Sequence, residues 1–189
     1  MRISLARTCT AAVIAATVAG AALVSPAVAK NPMVGGAPMY ESKTIVENAV
    51  NSKDHETLVA AVKAAGLVDT LSGSGPFVVF APTDAAFEKL PAGTVATLVK
   101  PENKETLTEI LTYHVVSGRG TVAQMHKAAM DAGGSVGLET VNGELLTLKA
   151  TDDGGITLTD AKGSTARVTV ADVRQSNGMI QVIDTVLMP

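Results

Sequence analysis

Cysteine is nearly absent: the 189-residue chain has one, Cys9, inside an apolar leader. A mature form cut after Ala29 keeps 1 − 1 = 0 cysteines, which excludes disulfides and thiol chemistry. Basic runs are missing as well. The formal net charge is −3, and loss of Arg2 and Arg7 with the leader makes it −3 − 2 = −5. An acidic chain without a Lys/Arg run is a poor partner for nucleic acid or an anionic membrane. The 3 histidines, His55, His114 and His126, lie far apart, without the H-x-x-x-H spacing of a metal site. Asp152-Asp153 lacks the alternating carboxylates of a calcium loop. No phosphate-binding glycine loop and no N-x-S/T acceptor occurs. No metal and no cofactor is expected.

The leader itself is informative. Arg2 and Arg7 start it, Ala11 to Val24 is apolar, and Ala27-Val28-Ala29 offers the small residues of a cleavage site before Lys30. The apolar run is shorter than the ~20 residues a bilayer span needs, and Pro26 ends it. Residues 1–29 read as a signal peptide, so the expectation is a secreted or periplasmic bacterial protein with Lys30 as its mature N-terminus and no membrane span. The remaining 189 − 29 = 160 residues are the size of one domain with a sizeable core.

Residues 30–43, with Asn-Pro, Gly-Gly and Ala-Pro, have linker composition and read as a flexible arm. Thr44 can cap a helix at Ile45, and Asp54 a longer one in which Leu58, Val59, Val62 and Ala65 keep helical spacing up to Gly66. Phe77 to Ala81 is a continuous apolar run suited to a strand buried on both faces. Pro82 then takes the chain out of the sheet, and Thr83 or Asp84 can cap a short helix. Pro101-Glu102 opens a helix with Leu107, Ile110 and Leu111 as its buried stripe. Thr121 to Met130 reads as another helix. From Leu138 the period changes to two, with an Asn142-Gly143 hairpin signal between Val141 and Leu145. Helices first and a meander of strands second make an α+β domain.

Three segments in fixed order carry a resemblance. They are the Phe80-Ala81-Pro82-Thr83-Asp84 turn, the Tyr113-His114 dipeptide, and Asn177-Gly178-Met179-Ile180-Gln181-Val182-Ile183-Asp184. Together they resemble the fasciclin (FAS1) domain over residues 44–189. The resemblance implies a β-wedge of about seven strands with helices along one edge. It also implies a binding or adhesion module, not an enzyme. The partner would be an unidentified cell-surface or envelope protein or glycan. The alternative is a carrier of an apolar small molecule, carotenoid- or lipid-like, in an apolar groove.

The same resemblance implies a hydrogen-bonded Asp84–His114 clamp, which would raise the imidazole pKa and orient the ring. Read as chemistry, such a pair awaits a nucleophile. Gly133-Gly134-Ser135-Val136-Gly137 does match the G-x-S-x-G pattern of hydrolases, but a helical stretch precedes it and no histidine follows it, so the elbow is absent. The binding surface is expected at Tyr113, His114, Val115, Val116 and Arg119, because Tyr-His and its apolar flank serve adhesion in animal members of the family. Thr83, Asn177 and Asp184 read as turn and cap residues. Gln181 stands where the family strand usually carries a histidine. Between His114 and Ala166 the match is loose, and residues 123–136 are the expected place for protein-specific function.

Overall fold

The computed structural model describes residues 31–189. The leader 1–29 and its cleavage site lie outside the described residues.

The first described segment is not the flexible arm its composition suggested. Met33–Val34 (β1) and Ala37–Pro38 (β2) pair as a hairpin around Gly35 and Gly36, both at positive φ. Gly35 is required there: a Cβ would stand 2.2 Å from Ser52 Oγ, while its carbonyl accepts from Lys53 N at 3.1 Å. Val34 and Met39 are buried in the domain core. Two apolar side chains among turn residues suffice to hold the segment down, and composition alone hides them. Just beyond, the Lys43 ammonium lies 5.2 Å from the centroid of the half-exposed Tyr40 ring.

Thr44 closes a capping box with Glu47 and starts α1 (Ile45–Ala49). Helix α2 (Glu56–Ala65) ends at Gly66 with φ +74, and α3 (Val68–Ser72) follows. Strand β3 (Phe77–Pro82) is buried almost throughout. Helices α4 (Asp84–Glu88) and α5 (Thr94–Leu98), and a 3-10 turn at Pro101–Asn103, lead into α6 (Lys104–Tyr113). After β4 (Val115–Ser117) and α7 (Val122–Asp131) the meander runs through β5 (Ser135–Glu139), β6 (Leu145–Ala150), β7 (Ile156–Thr159), β8 (Thr165–Gln175) and β9 (Gly178–Ile183).

These last seven strands form one sheet in the order β4-β3-β9-β8-β7-β6-β5, with β3 and β9 parallel and every other pair antiparallel. Its two edges meet: Val116 bridges Thr140, and Val141 N donates to the Val115 carbonyl at 2.8 Å. The sheet is thus a nearly closed wedge, and the class is α+β. Asn142-Gly143 does turn the chain between β5 and β6, but within a longer loop, so its flanks Val141 and Leu145 are exposed.

Alternation along β3 and β9 sorts side chains into two cores. Val79, Ala81, Ile180 and Val182 face the hairpin and helices α1, α2, α3 and α6. Val78, Phe80 and Ile183 face the wedge interior, where they meet Leu146, Leu148, Ile156 and Leu158 under α7. The continuous apolar run of residues 77–81 is explained by this double burial.

Candidate functional site

The Tyr-His dipeptide ends α6, and the structure puts both rings inside. Tyr113 is 0% exposed in the wedge interior, where its hydroxyl donates to the Leu145 carbonyl at 3.3 Å. Burial pushes its phenol pKa up. Val115 is buried and Val116 half-buried in β4, so of the five expected surface residues only Arg119 is exposed. Helical periodicity identified a buried stripe but could not show that the wedge closes over the helix end.

His114 is held by backbone on both sides. Its Nε2 accepts from Leu187 N at 3.1 Å, which leaves the proton on Nδ1 to be donated to the Ile110 carbonyl at 2.7 Å. The His114 carbonyl accepts from Phe80 N at 2.9 Å. One residue thereby joins the last turn of α6, strand β3 and the C-terminal tail. Complete burial drives the imidazole pKa down to about 4, with the Ile110 carbonyl and the Asp160 carboxylate opposing only in part. The expected clamp to Asp84 is not formed, and the expected upward shift is reversed. A neutral ring already satisfied at both nitrogens has no use for a carboxylate.

Asp84 does something else. Its carboxylate accepts from Glu56 N at 3.2 Å and Thr57 N at 2.9 Å, capping α2 from 28 residues away. Asp54, the expected cap, does not serve; His55 holds the N-cap position without a side-chain bond to the helix. The open amides at the start of α2 accept whichever carboxylate the fold delivers.

The other turn residues tie elements together. Thr83 Oγ1 accepts from Ala86 N at 3.3 Å at the start of α4. Asn177 accepts from Ile45 N at 3.0 Å and donates to the Leu71 and Gly73 carbonyls at 2.7 and 3.0 Å. Asp184 accepts from Arg167 N at 2.9 Å. Gln181, fully buried, accepts from Asp172 N at 2.8 Å and returns a bond to the Asp172 carboxylate at 2.9 Å. This pairing holds Asp172 at φ +58, unusual for a residue with a side chain, so that its Oδ1 caps α7 through Val122 N at 2.8 Å. An amide can donate and accept at once, so at this position it does more than fill the place of an imidazole.

Two of the openings among the described residues bear on a partner. The first is an apolar cavity of about 50 Å³ inside the helical core, walled by Val34, Met39, Ile45, Leu58, Val62 and Ile180, with Lys63 at its rim. Ser52 and His55 line it too, with Ser52 Oγ 2.8 Å from His55 Nδ1. His55 Nε2 is buried and makes no hydrogen bond. Burial lowers the His55 pKa, against the pull of the Asp84 and Asp54 carboxylates and the Ala81 carbonyl. Sequence reading passed over Ser52-x-x-His55, although that spacing on a helix entry was its only available sign.

The second is a shallow polar cleft of about 390 Å³ bordered by Arg119, Ser72, Ser74, Ser176 and Asn177. Arg119 makes no ion pair among the described residues. Among those residues no three His, Cys, Asp or Glu side chains converge on a metal site, and no helix is long and apolar enough to cross a membrane.

Residues 53–189 match the family model of the fasciclin domain. Protein sll1483 of Synechocystis is 47% identical over 160 residues, which cover 85% of this chain and 81% of the relative. Immunogenic protein MPB70 of Mycobacterium bovis is 39% identical over 147 residues, 75% of this chain and 66% of that one. Cell surface glycolipoprotein MPB83 of the same species is 33% identical over 167 residues, 85% and 68% of the two chains. The fold is shared with the FAS1 domain pair of the insect cell adhesion molecule Fasciclin I, at a TM-score of 0.68 and 21% identity. That match covers 78% of this chain and 51% of the solved one, so the chain spans about half of the pair. The chain belongs to the fasciclin domain family.

Proposed function

We propose that this fasciclin-domain chain is an exported, non-catalytic binding protein that recognises a protein or glycan of the cell surface or envelope through the Arg119 cleft. The observation that carries this reading is Arg119 itself: an exposed cation without a counter-ion among the described residues, set beside the hydroxyls of Ser72, Ser74 and Ser176. A guanidinium flanked by hydroxyls suits a carboxylate-bearing or heavily hydroxylated partner. Relatives named as a cell surface glycolipoprotein and, more distantly, a cell adhesion molecule support the location and the mode of action. The binding role argued for Tyr113, His114, Val115 and Val116 passes to Arg119, because the first three are enclosed, Val116 is half-buried and the arginine is exposed. His114 supports a non-catalytic reading: both of its nitrogens are engaged by backbone, leaving none to move a substrate proton. In a pull-down from the native envelope, Arg119→Ala should retain its melting temperature and lose at least about fivefold in affinity, roughly 1 kcal/mol. Full retention by the folded variant would remove the cleft from consideration.

A second reading, a carrier of an apolar small molecule, is favoured by the cavity in the helical core. At about 50 Å³ the closed cavity admits only a small body, and a polyene would require the β1–β2 hairpin to lift.

A further inference from the structure

The geometry points to a ligand site in the helical core, in which the Ser52–His55 pair and the apolar cavity it lines hold a small neutral molecule with an apolar body and one hydroxyl group. This deepens the carrier reading and is independent of the Arg119 cleft. The first observation is the imidazole. His55 is 3% exposed, its Nδ1 is taken by Ser52 Oγ at 2.8 Å, and its Nε2 has no partner. Buried polar atoms without partners are rare in folded proteins and mark a site where something is missing.

The second observation is the space beside it. By the measure in which one water needs about 10–15 Å³, a cavity of about 50 Å³ has room for a few non-hydrogen atoms. Its walls are apolar, including Ile45, Leu58, Val62, Leu71, Val79 and Ile180. A water could reach Nε2 with the Ala81 carbonyl near the ring as a further partner, but it would leave the apolar remainder of the cavity unfilled. An apolar body with a single polar end satisfies both the walls and the nitrogen.

The charge and type of that end follow from the surroundings. The carboxylates of Asp84 and Asp54 act on His55, and the same negative potential opposes an anionic head group. Lys63, at the rim, is the one positive group on the lining, and it lies toward solvent. An ammonium would have to enter apolar walls on which no carboxylate stands. A neutral group remains. Ser52 can accept from Nδ1–H or donate to Nδ1, so Nε2 is a lone pair in one tautomer and an N–H in the other. A hydroxyl serves both, because it donates and accepts; a carbonyl or an ether serves only one.

The wall opposite the sheet is the removable one. Strands β1 and β2 have two residues each and form a sheet of their own, and the turn rests on Lys53 N through the Gly35 carbonyl at 3.1 Å. Val34 and Met39 on this hairpin line the cavity. Its lifting would admit the ligand and leave the seven-stranded sheet intact.

The test uses the chain from Lys30 to Pro189 uniformly labelled with ¹⁵N and ¹³C, titrated at pH 7.5 with 1-hexanol and separately with hexanoate. The expected result is a saturable shift of the His55 Nε2 resonance by 1-hexanol, with hexanoate at least tenfold weaker. Val59→Phe, a partly exposed position on the lining, should fill the space, keep the fold and weaken 1-hexanol at least tenfold. Saturable binding of hexanoate that perturbs Lys63 and leaves His55 unmoved would overturn the assignment of the head group while leaving a carrier. No saturable response to either probe, or undiminished binding of 1-hexanol by Val59→Phe, would overturn the cavity as a ligand site and the carrier reading with it.

Discussion

The two cores on either side of β3 and β9 are built to different standards. Inside the wedge Phe80, Leu146, Leu148, Leu158 and Ile183 are all 0% exposed, and strands distant in sequence close around them. On the helical side, five-residue helices and a two-residue hairpin meet imperfectly, and a cavity, a polar pair and an unpaired nitrogen remain between them. Short helices have little stability of their own and take their shape from what they pack on. The difference teaches where to look for function in this fold: the tight core fixes the geometry, and the loose one has room to respond.

Truncation should give the largest contrast. Leu158→Ala in the wedge core should cost about 4 kcal/mol in chemical denaturation, because closed strands cannot collapse onto the lost volume. Leu58→Ala should cost about 2 kcal/mol, because it enlarges a space whose short helices can shift. Equal losses would show the two cores to be equally rigid.

Next comes pH, since two buried histidines, His55 and His114, both reach the cavity of the helical core. His114 is neutral in the fold, with its pKa lowered from 6.5 to about 4. Between those values the unfolded chain binds the additional proton, so stability is complete above pH 6.5 and declines as pH falls toward 4. The loss for this group amounts to about 3 kcal/mol. His55 is lowered for the same reason, and its contribution has the same sign. Denaturation of wild type and His114→Gln across pH 4–7 should show most of the slope disappearing in the variant. A slope retained there but lost on replacing His55 would place the pH sensitivity at the Ser52–His55 pair instead.

The smallest effect concerns Asp84, which serves the loose core alone. Asp84→Ala should lower stability by about 1 kcal/mol through the lost cap on α2. It should also leave the His114 titration, followed by NMR, unchanged. A moved His114 titration would reinstate a link between the two residues.

These contrasts also show what the sequence made readable. Strand β3 was visible because double burial writes an unbroken apolar run, and α6 because Leu107, Ile110 and Leu111 repeat at helical spacing. Asn177 stood out as a turn residue, though not as the junction of α1, α3 and β3. The Asp84–His114 pairing failed for a physical reason. Each side chain had backbone partners nearer to hand, and side-chain-to-backbone bonds across 28 or 73 residues leave no periodic trace. His55 was weighed only as a metal ligand, because a buried imidazole looks no different from a surface one until the hairpin is folded over it. At Gln181 the sequence shows only a departure from the family's usual histidine, whereas its amide is what holds Asp172 in place.

The chain contains 2 tyrosines and no tryptophan, and the fold distributes them one to each region. Tyr40, 42% exposed beneath Lys43, stands where the hairpin joins the helical core, while Tyr113 is enclosed by the wedge. The protein therefore has a native optical reporter on each side of its central strands. Ultraviolet absorbance and tyrosine emission, compared between Tyr40→Phe and Tyr113→Phe, can follow the cover and the scaffold separately without an added label.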